Sequence, residues 1–404
     1  MRKIYYCLLI VALCGVMASC ENDDTDFSDI IAQYQVEPAS IELDFSPLSE
    51  IADVPVTDEA DSAYNDYVEN GSWNKVINID FNGGEVTVTG TVGGVGIATD
   101  GAHVTVTNLS GPVKFIVSGT TPDGSIKFYG DKRFQIMLNG ANITNPNGAA
   151  INNQGSKSLY VVLADGTTNT LRDGSTYTEV DEEDQKAALF SEGQIIFSGS
   201  GELNVYAVGR GGIRSDDYIR IRPGVRIYVN STALDGLRAN DGIIVDGGVV
   251  NIETTGAGAK GVRSGGVMKM NGGRMIAISN GDTRIETDET GLVDTTACAA
   301  LYCDTLVTVN GGTLKFKATG DGGKGLNAKR DVVMNGGSFM AVASGTAVLK
   351  KPRGVKIDGN FTVTGGYFYC YSRRSTPLDV SGTTSVAQGY TICQMAPKTV
   401  TIAY

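Results

Sequence analysis

The 404-residue chain has one histidine, one tryptophan, ten prolines, no C-x-x-C pair and fewer basic than acidic side chains. Each shortage removes a class of function. With His103 as the only histidine, in an early stretch far from other candidate groups, a His-centred triad has no natural centre. Of the seven cysteines, Cys7, Cys14 and Cys20 belong to the N-terminal segment. Cys298, Cys303, Cys370 and Cys393 lie in no zinc-ligand spacing and read as buried thiols, or as disulfide partners in an oxidising compartment. The net charge of −12 lacks the basic footprint that phosphate backbones require, so nucleic acid is excluded as a partner. It suits cations, or neutral and locally steered ligands.

Glycine is what the chain has in excess, 53 residues, about 13% against a usual ~7%, without a Gly-X-Y period. That composition predicts many tight turns between short strands. Arg2 and Lys3 precede an apolar stretch from Ile4 to Val16 that is short for a bilayer span, and Met17-Ala18-Ser19-Cys20 closes it. Residues 1–19 read as a secretory signal. The small residues before Cys20 resemble a bacterial lipobox, which makes Cys20 the lipidation site and the lipid anchor the membrane contact; a plain signal peptide that includes Cys20 is the alternative. Glu21-Asn22-Asp23-Asp24 resembles signals that send lipoproteins to the outer surface of some Gram-negative envelopes. Loss of Arg2 and Lys3 leaves 31 basic against 45 acidic side chains, a balance of −14. Residues 20–70 read as an acidic tether with one or two early strands.

The repeat decides the fold. Gly247-Gly248, Gly272-Gly273, Gly311-Gly312 and Gly336-Gly337 recur at spacings of 25, 39 and 25 residues. A second marker, glycine-aliphatic-polar-small, keeps step at Gly212-Ile213-Arg214-Ser215, Gly236-Leu237-Arg238-Ala239, Gly261-Val262-Arg263-Ser264 and Gly325-Leu326-Asn327-Ala328, with Ala300-Leu301-Tyr302-Cys303 in the remaining place. Between them apolar residues alternate, as in Ile243 and Val245, Met268 and Met270, Val307 and Val309, Val332 and Met334, and Val355 and Ile357. Alternation puts every second side chain on one face of a strand, and no helical segment is long enough to serve as a crossover. Propeller blades need more residues than this period supplies. The prediction is all-β, a right-handed parallel β-helix with about 25 residues per rung.

The same pattern, less regular, runs from Val76 to about Tyr206, so residues 71–404 form one domain. Beyond Phe361 the repeat is expected to dissolve into a C-terminal cap. Pro223, Asp246, Asn271, Asn310, Asn335 and Asp358, each before a glycine, read as one stacked corner of turn formers.

Outward positions of such a repeat form ladders about 4.8 Å apart. Arg214, Arg238 and Arg263 occupy one position on three successive rungs, with Asp216, Asp217, Asp235 and Asp241 as neighbours. Two readings stay open: a surface ion-pair network, or a strip whose guanidinium forks grip carboxylates and hydroxyls of a sugar chain. Asp216, Asp217 and Asp241 are candidate oxygen ligands for Ca²⁺. The 39-residue rung carries an insertion from Gly281 to Thr296, and Glu179 to Asp184 is a second acidic insertion; a loop that breaks a regular solenoid is a place for a binding wall. Arg220, Arg222 and Arg226 around Pro223 loosely resemble a pectate-lyase motif, with the spacing off by one. A paired-carboxylate glycosidase has too many competing acids to assign.

The repeated G-[ILV]-[RKN]-[SA], strand, Asn/Asp-Gly-Gly turn and strand resembles bacterial carbohydrate-binding proteins with a polysaccharide-lyase-like, calcium-containing β-helix. The match is clearest from Gly199 to Asn360. The resemblance implies binding of a cellulose-like or acidic polysaccharide without cleavage as the usual role, and bound calcium. This chain departs from it in its 39-residue rung and at Gly265-Gly266, where acids could bind metal. The expectation is a surface lipoprotein for glycan capture or adhesion; a calcium-dependent uronate lyase on the same fold and a protein-binding adhesin are the alternatives.

Overall fold

The computed structural model describes residues 38–49, 52–90, 93–107, 109, 111–388, 392–396 and 399–403, the last two as backbone. The signal segment and Cys20 lie outside them. The described chain coils as a parallel β-helix of about 11 turns and roughly 25 residues per turn. One turn shows the unit: Gly211–Ser215 lies on a first face, Tyr218–Ile221 on a second and Arg226–Ser231 on a third. Each pairs in parallel with its equivalent one turn on, Leu237–Ala239, Gly242–Val245 and Val249–Thr254.

Two columns of glycine explain why the coil can close so tightly. The second glycine after each second-face strand has positive φ, 77° at Gly248, 81° at Gly273, 75° at Gly312 and 74° at Gly337, a region costly for other residues. Gly236, in the first-face marker, sits where the third face presses close. A Cβ there would lie 2.4 Å from Ile252 Cγ2 and 2.8 Å from the Gly261 carbonyl oxygen.

Inward side chains stack into one apolar core. Ile213, Leu237, Val262, Leu301, Leu326 and Val355 form its first-face column, all essentially solvent-free. On the third face Phe339 and Phe368 stack with ring centres 5.4 Å apart. Removal of such side chains from water, about 1.5–3 kcal/mol each, repeated rung by rung, is the main stabilising term.

The asparagine corner forms as read from Asp246 to Asn335 and differs at both ends. Asn271 donates to Asp246 at 2.7 Å, Asn310 to Asn271 at 2.8 Å and Asn335 to Asn310 at 2.9 Å. Thr364, not Asp358, continues the column by donating to Asn335 at 2.9 Å. Val355 and Ile357 are first-face residues, on Arg353–Ile357 paired with Lys324–Ala328, so Asp358 lies at a different corner. Arg222 takes the first place in the column and Pro223 aligns with Gly247.

Other differences follow from long-range packing. The repeat does not dissolve at Phe361: Phe361–Val363, Tyr367–Ser372, Leu378–Val380, Thr384–Val386 and Ile392–Ala396 continue the three stacks. The ends are closed by antiparallel pairing. Thr399–Ala403 runs against the last third-face strand, and Glu85–Thr89 and Gly96–Asp100 run against the first strands of the third and first faces, which breaks the parallel stacking there.

Of the segment read as a tether, 38–49 and 52–70 contain no strand and lie along the coil as a strap. Ile41 is buried with Ile276, Val342, Tyr369 and Tyr371. Asp44 pairs with Arg274 at 3.0 Å. Two short 3-10 turns, Tyr64–Asp66 and Val68–Asn70, carry the acids that meet the second face. The compact unit therefore starts at Pro38 rather than at residue 71.

Candidate functional site on the first face

The strap covers much of the outer third face and the early second face. Its acids also hold two of the three arginines of the loose lyase-like motif, and a coil acid holds the third. Arg222 is 1% exposed and held by Asp53 at 2.8 Å and Glu69 at 2.7 Å; Arg220 is held by Asp66 at 2.8 Å and Asp246 at 2.6 Å; Arg226 meets Glu202 at 3.0 Å. That group is structural.

The first face is where the chain departs from regularity. Every long insertion lies at the corner where the third face passes to the first. Residues 173–186 join Thr168–Arg172 to Ala187–Ser191, 280–298 join Arg274–Ser279 to Ala299–Cys303, and 344–352 join Ser338–Ala343 to Arg353–Ile357. Insertions in a solenoid collect on one face, which is often the one that binds, so this face is the candidate. The 39-residue rung folds its extra residues into a hairpin, Arg284–Thr287 with Val293–Thr296.

Down this face runs one outward column. Register places Arg214, Arg238, Arg263, Tyr302, Asn327, Lys356 and Asp379 side by side on successive rungs. The three arginines read from the repeat are thus adjacent, but they are not equivalent. Arg214 donates from Nε and Nη2 to one oxygen of Asp216 at 3.1 and 3.0 Å, and that carboxylate also takes Lys186 at 2.5 Å and Asn240 at 3.1 Å. Arg238 and Arg263 share a single oxygen of Asp235 at 3.7 Å each, too far for good hydrogen bonds. Burial, then Arg263 and Arg214, pull the Arg238 pKa down, the mark of under-compensated positive charge. Arg263 lies 5.3 Å from the Tyr302 ring centre.

The three aspartates read as calcium ligands do not come together. Asp216 is engaged by cations on the first face, whereas Asp217 receives the Tyr218 backbone N–H at 2.8 Å and feels Asp241 and Asp66. Among the described residues the acids that converge are Asp184, Glu192 and Asp216, with ligand atoms within 4.8 Å of one another. Lys186 already ion-pairs with Asp184 and Asp216.

Beyond Arg263 the column enters a cleft of about 570 Å³ that sequence reasoning missed. Lys260, Lys324, Lys329, Lys350, Lys351, Arg353 and Lys356 line it, against Asp294 and Asp379, with Asp294–Ala297 of the inserted hairpin on one side. Lys260 and Lys324 are buried, and their ammonium groups donate to backbone carbonyls, Lys260 to Gly258 and to Ala297 at 2.6 Å, Lys324 to Gly322 at 3.2 Å. Burial lowers both pKa values to about 8, with nearby Arg263 acting on Lys260 and Lys356 on Lys324 in the same direction. A signal for them existed. Lys260, Lys324 and Arg353 each directly precede the marker glycine, at one register position. The late loop is fixed by Asp321, which accepts from Thr346 at 2.7 Å, Val348 at 2.6 Å and Leu349 at 2.9 Å and so holds Lys350 and Lys351 at the rim.

The opposite end of the face is acidic. Glu183, in the first insertion, takes Lys127 at 2.8 Å and the Tyr129 hydroxyl, closing that insertion over the early rungs. Cys298 and Cys303 are free buried thiols, Cys303 with its pKa pushed up to about 11 by burial, which suits packing rather than chemistry.

A protein from Acetivibrio thermocellus described as a carbohydrate-binding domain-containing protein is 33% identical over 120 residues, 29% of this chain and 42% of that protein, so the match spans less than half of its length. A solved polysaccharide lyase-like protein from C. thermocellum, a gadolinium derivative, superposes with a TM-score of 0.47 at 21% identity, covering 78% of this chain and 97% of that one. The family model for carbohydrate-binding domain-containing proteins matches residues 100–397, which take in the column, the cleft and all three insertions. This chain belongs to the carbohydrate-binding domain-containing protein family.

Proposed function

We propose that the protein captures an acidic polysaccharide along its first face, with Arg238 and Arg263 as the gripping pair and the lysine cleft as the continuation of the track. The observation that carries this is the column itself: cationic and aromatic side chains succeed one another at about 4.8 Å, a step close to that of a sugar ring in an extended chain. Arg214 positions the track's start through Asp216 rather than touching the glycan. Of the cellulose-like and acidic ligands, the unneutralised cations favour the acidic one. A glycan array of neutral and uronate-containing polysaccharides tests this. Retention of polygalacturonate and not of cellulose supports it; retention of neutral chains alone, or of no glycan, rejects it, and the latter returns the protein-binding adhesin.

The reading includes attachment to the cell envelope through a lipid on Cys20, with the coil turned outward for glycan capture or adhesion. Loss of fatty-acid labelling in Cys20→Ser is the expected result, and labelling unchanged by that substitution rejects the anchor. Calcium is retained only at Asp184, Glu192 and Asp216, where it has to displace Lys186. A melting temperature that climbs with free calcium supports that site, and one that does not removes it.

One observation favours a second reading. A buried amine with pKa about 8, as at Lys324 or Lys260, is partly neutral near that pH and can take the proton beside a uronate carboxylate. A ring double bond then forms as the glycosidic oxygen leaves and takes a proton from water. Sustained growth of ultraviolet absorbance from unsaturated ends of polygalacturonate establishes this lyase reaction; none with a bound substrate establishes binding alone.

A further inference from the structure

The cleft's cations differ in kind from those of the column, and the difference has a chemical meaning. Lys329 and Lys356 are paired with Asp358 at 2.5 and 2.8 Å, and Arg353 with Asp379 at 2.8 Å. Among the described residues no carboxylate pairs with Lys260, Lys324, Lys350 or Lys351, although all four line one cleft. The two buried members lie on equivalent register positions two rungs apart, roughly 9.6 Å by strand spacing. Lys350 and Lys351 stand at the rim on the Asp321-anchored loop. Four ammonium groups in one recess repel each other, and burial of two of them adds desolvation cost, so an anion that enters relieves both.

The cleft donors that lack a paired carboxylate are all ammonium groups, the two buried ones already donating to backbone carbonyls and Lys260 feeling Asp235 at longer range. A guanidinium presents a planar fork that matches the two oxygens of a carboxylate; an ammonium is a compact point charge whose three donors can be approached from several directions. Lysines converging on one recess from the floor and the rim match an anion with three terminal oxygens spread around an axis. We infer that the cleft takes a tetrahedral oxyanion ester, a sulfate or phosphate group carried on the bound polysaccharide, while Arg238 and Arg263 take its carboxylates. This inference rests on the reading of the first face as the glycan track.

The test uses the full chain and matched ligands. Chondroitin sulfate is compared with desulfated chondroitin, and dextran phosphate with dextran, by titration of wild type and of Lys350→Gln/Lys351→Gln, two rim residues whose replacement leaves the core intact. We expect at least tenfold tighter binding of an esterified chain than of its unesterified partner, and loss of most of that ratio in the double variant. The ester preferred identifies which oxyanion is the natural one. Equal affinity for esterified and unesterified chains, with chondroitin bound, overturns the oxyanion site and leaves the uronate reading standing. A preference that survives in both the rim variant and Lys324→Gln overturns its placement in the cleft. Failure to bind any of the four chains overturns both.

Discussion

Three arginines that look identical in the repeat have two different fates, because the neighbours of a side chain decide its role. Arg214 gives two donors to Asp216 and has little left for a ligand; Arg238 and Arg263 divide one distant carboxylate between them. Arg214→Ala should therefore lower stability by about 1–3 kcal/mol, since it leaves a half-buried carboxylate short of a partner, with glycan affinity changed little. Arg238→Ala with Arg263→Ala should do the reverse. Chemical denaturation and titration of the two variants separate these outcomes, and equal effects in both would mean that the column acts as one network. The two buried lysines carry a pH signature. Their folded pKa of about 8 lies below the ordinary 10.5, so between those values the unfolded chain binds more protons and stability rises with pH. Anion binding falls over the same window as the charges leave. Opposite slopes of melting temperature and affinity above about pH 8 are the expected pattern; parallel slopes would contradict the assignment of these amines to the ligand.

Between elements, regularity and its interruption do different work. The strands follow from alternation, and the turns from Asn-Gly-Gly, so both were legible in the sequence down to the ladder of Asp246, Asn271, Asn310 and Asn335. Alternation alone does not say which face a strand takes: Val355 and Ile357 alternate like the second-face strands, and only their partner strand Lys324–Ala328 places them on the first. The strap was not legible. Residues 38–70 carry no period of their own, and their partners Arg220, Arg222, Asn251 and Arg274 lie some 150 to 230 positions away. Arg222→Ala should free the strap, since Asp53 and Glu69 then face each other without a cation. Limited proteolysis is expected to cut within 52–70 while the coil survives; an uncut strap would show that its apolar contacts suffice. In the core, Phe339→Ala should cost about 3–5 kcal/mol, because it opens a cavity between Phe316 and Phe368 that the rigid rungs cannot close.

Over the whole molecule, charge is separated rather than balanced. The chain is acidic in sum, yet the late first face concentrates lysine and arginine and the early first face is closed by Glu183. Sequence showed the net charge and the arginine position; the cleft needed the coil, which brings residues 260, 324 and 353 together across insertions of unequal length. Such an arrangement should give affinity for a polyanion a maximum in salt. At low ionic strength the distant acids repel the ligand, at about 0.1 M they are screened beyond ~10 Å while the cleft still holds, and at higher salt the contacts weaken too. The most direct measurement is titration of polygalacturonate into wild type, Arg238→Ala/Arg263→Ala, and Lys269→Ala, an exposed lysine on the second face. We expect wild type and Lys269→Ala to bind alike and the double variant to lose at least tenfold in affinity. Equal binding by all three would contradict the first face as the site where this protein holds its glycan.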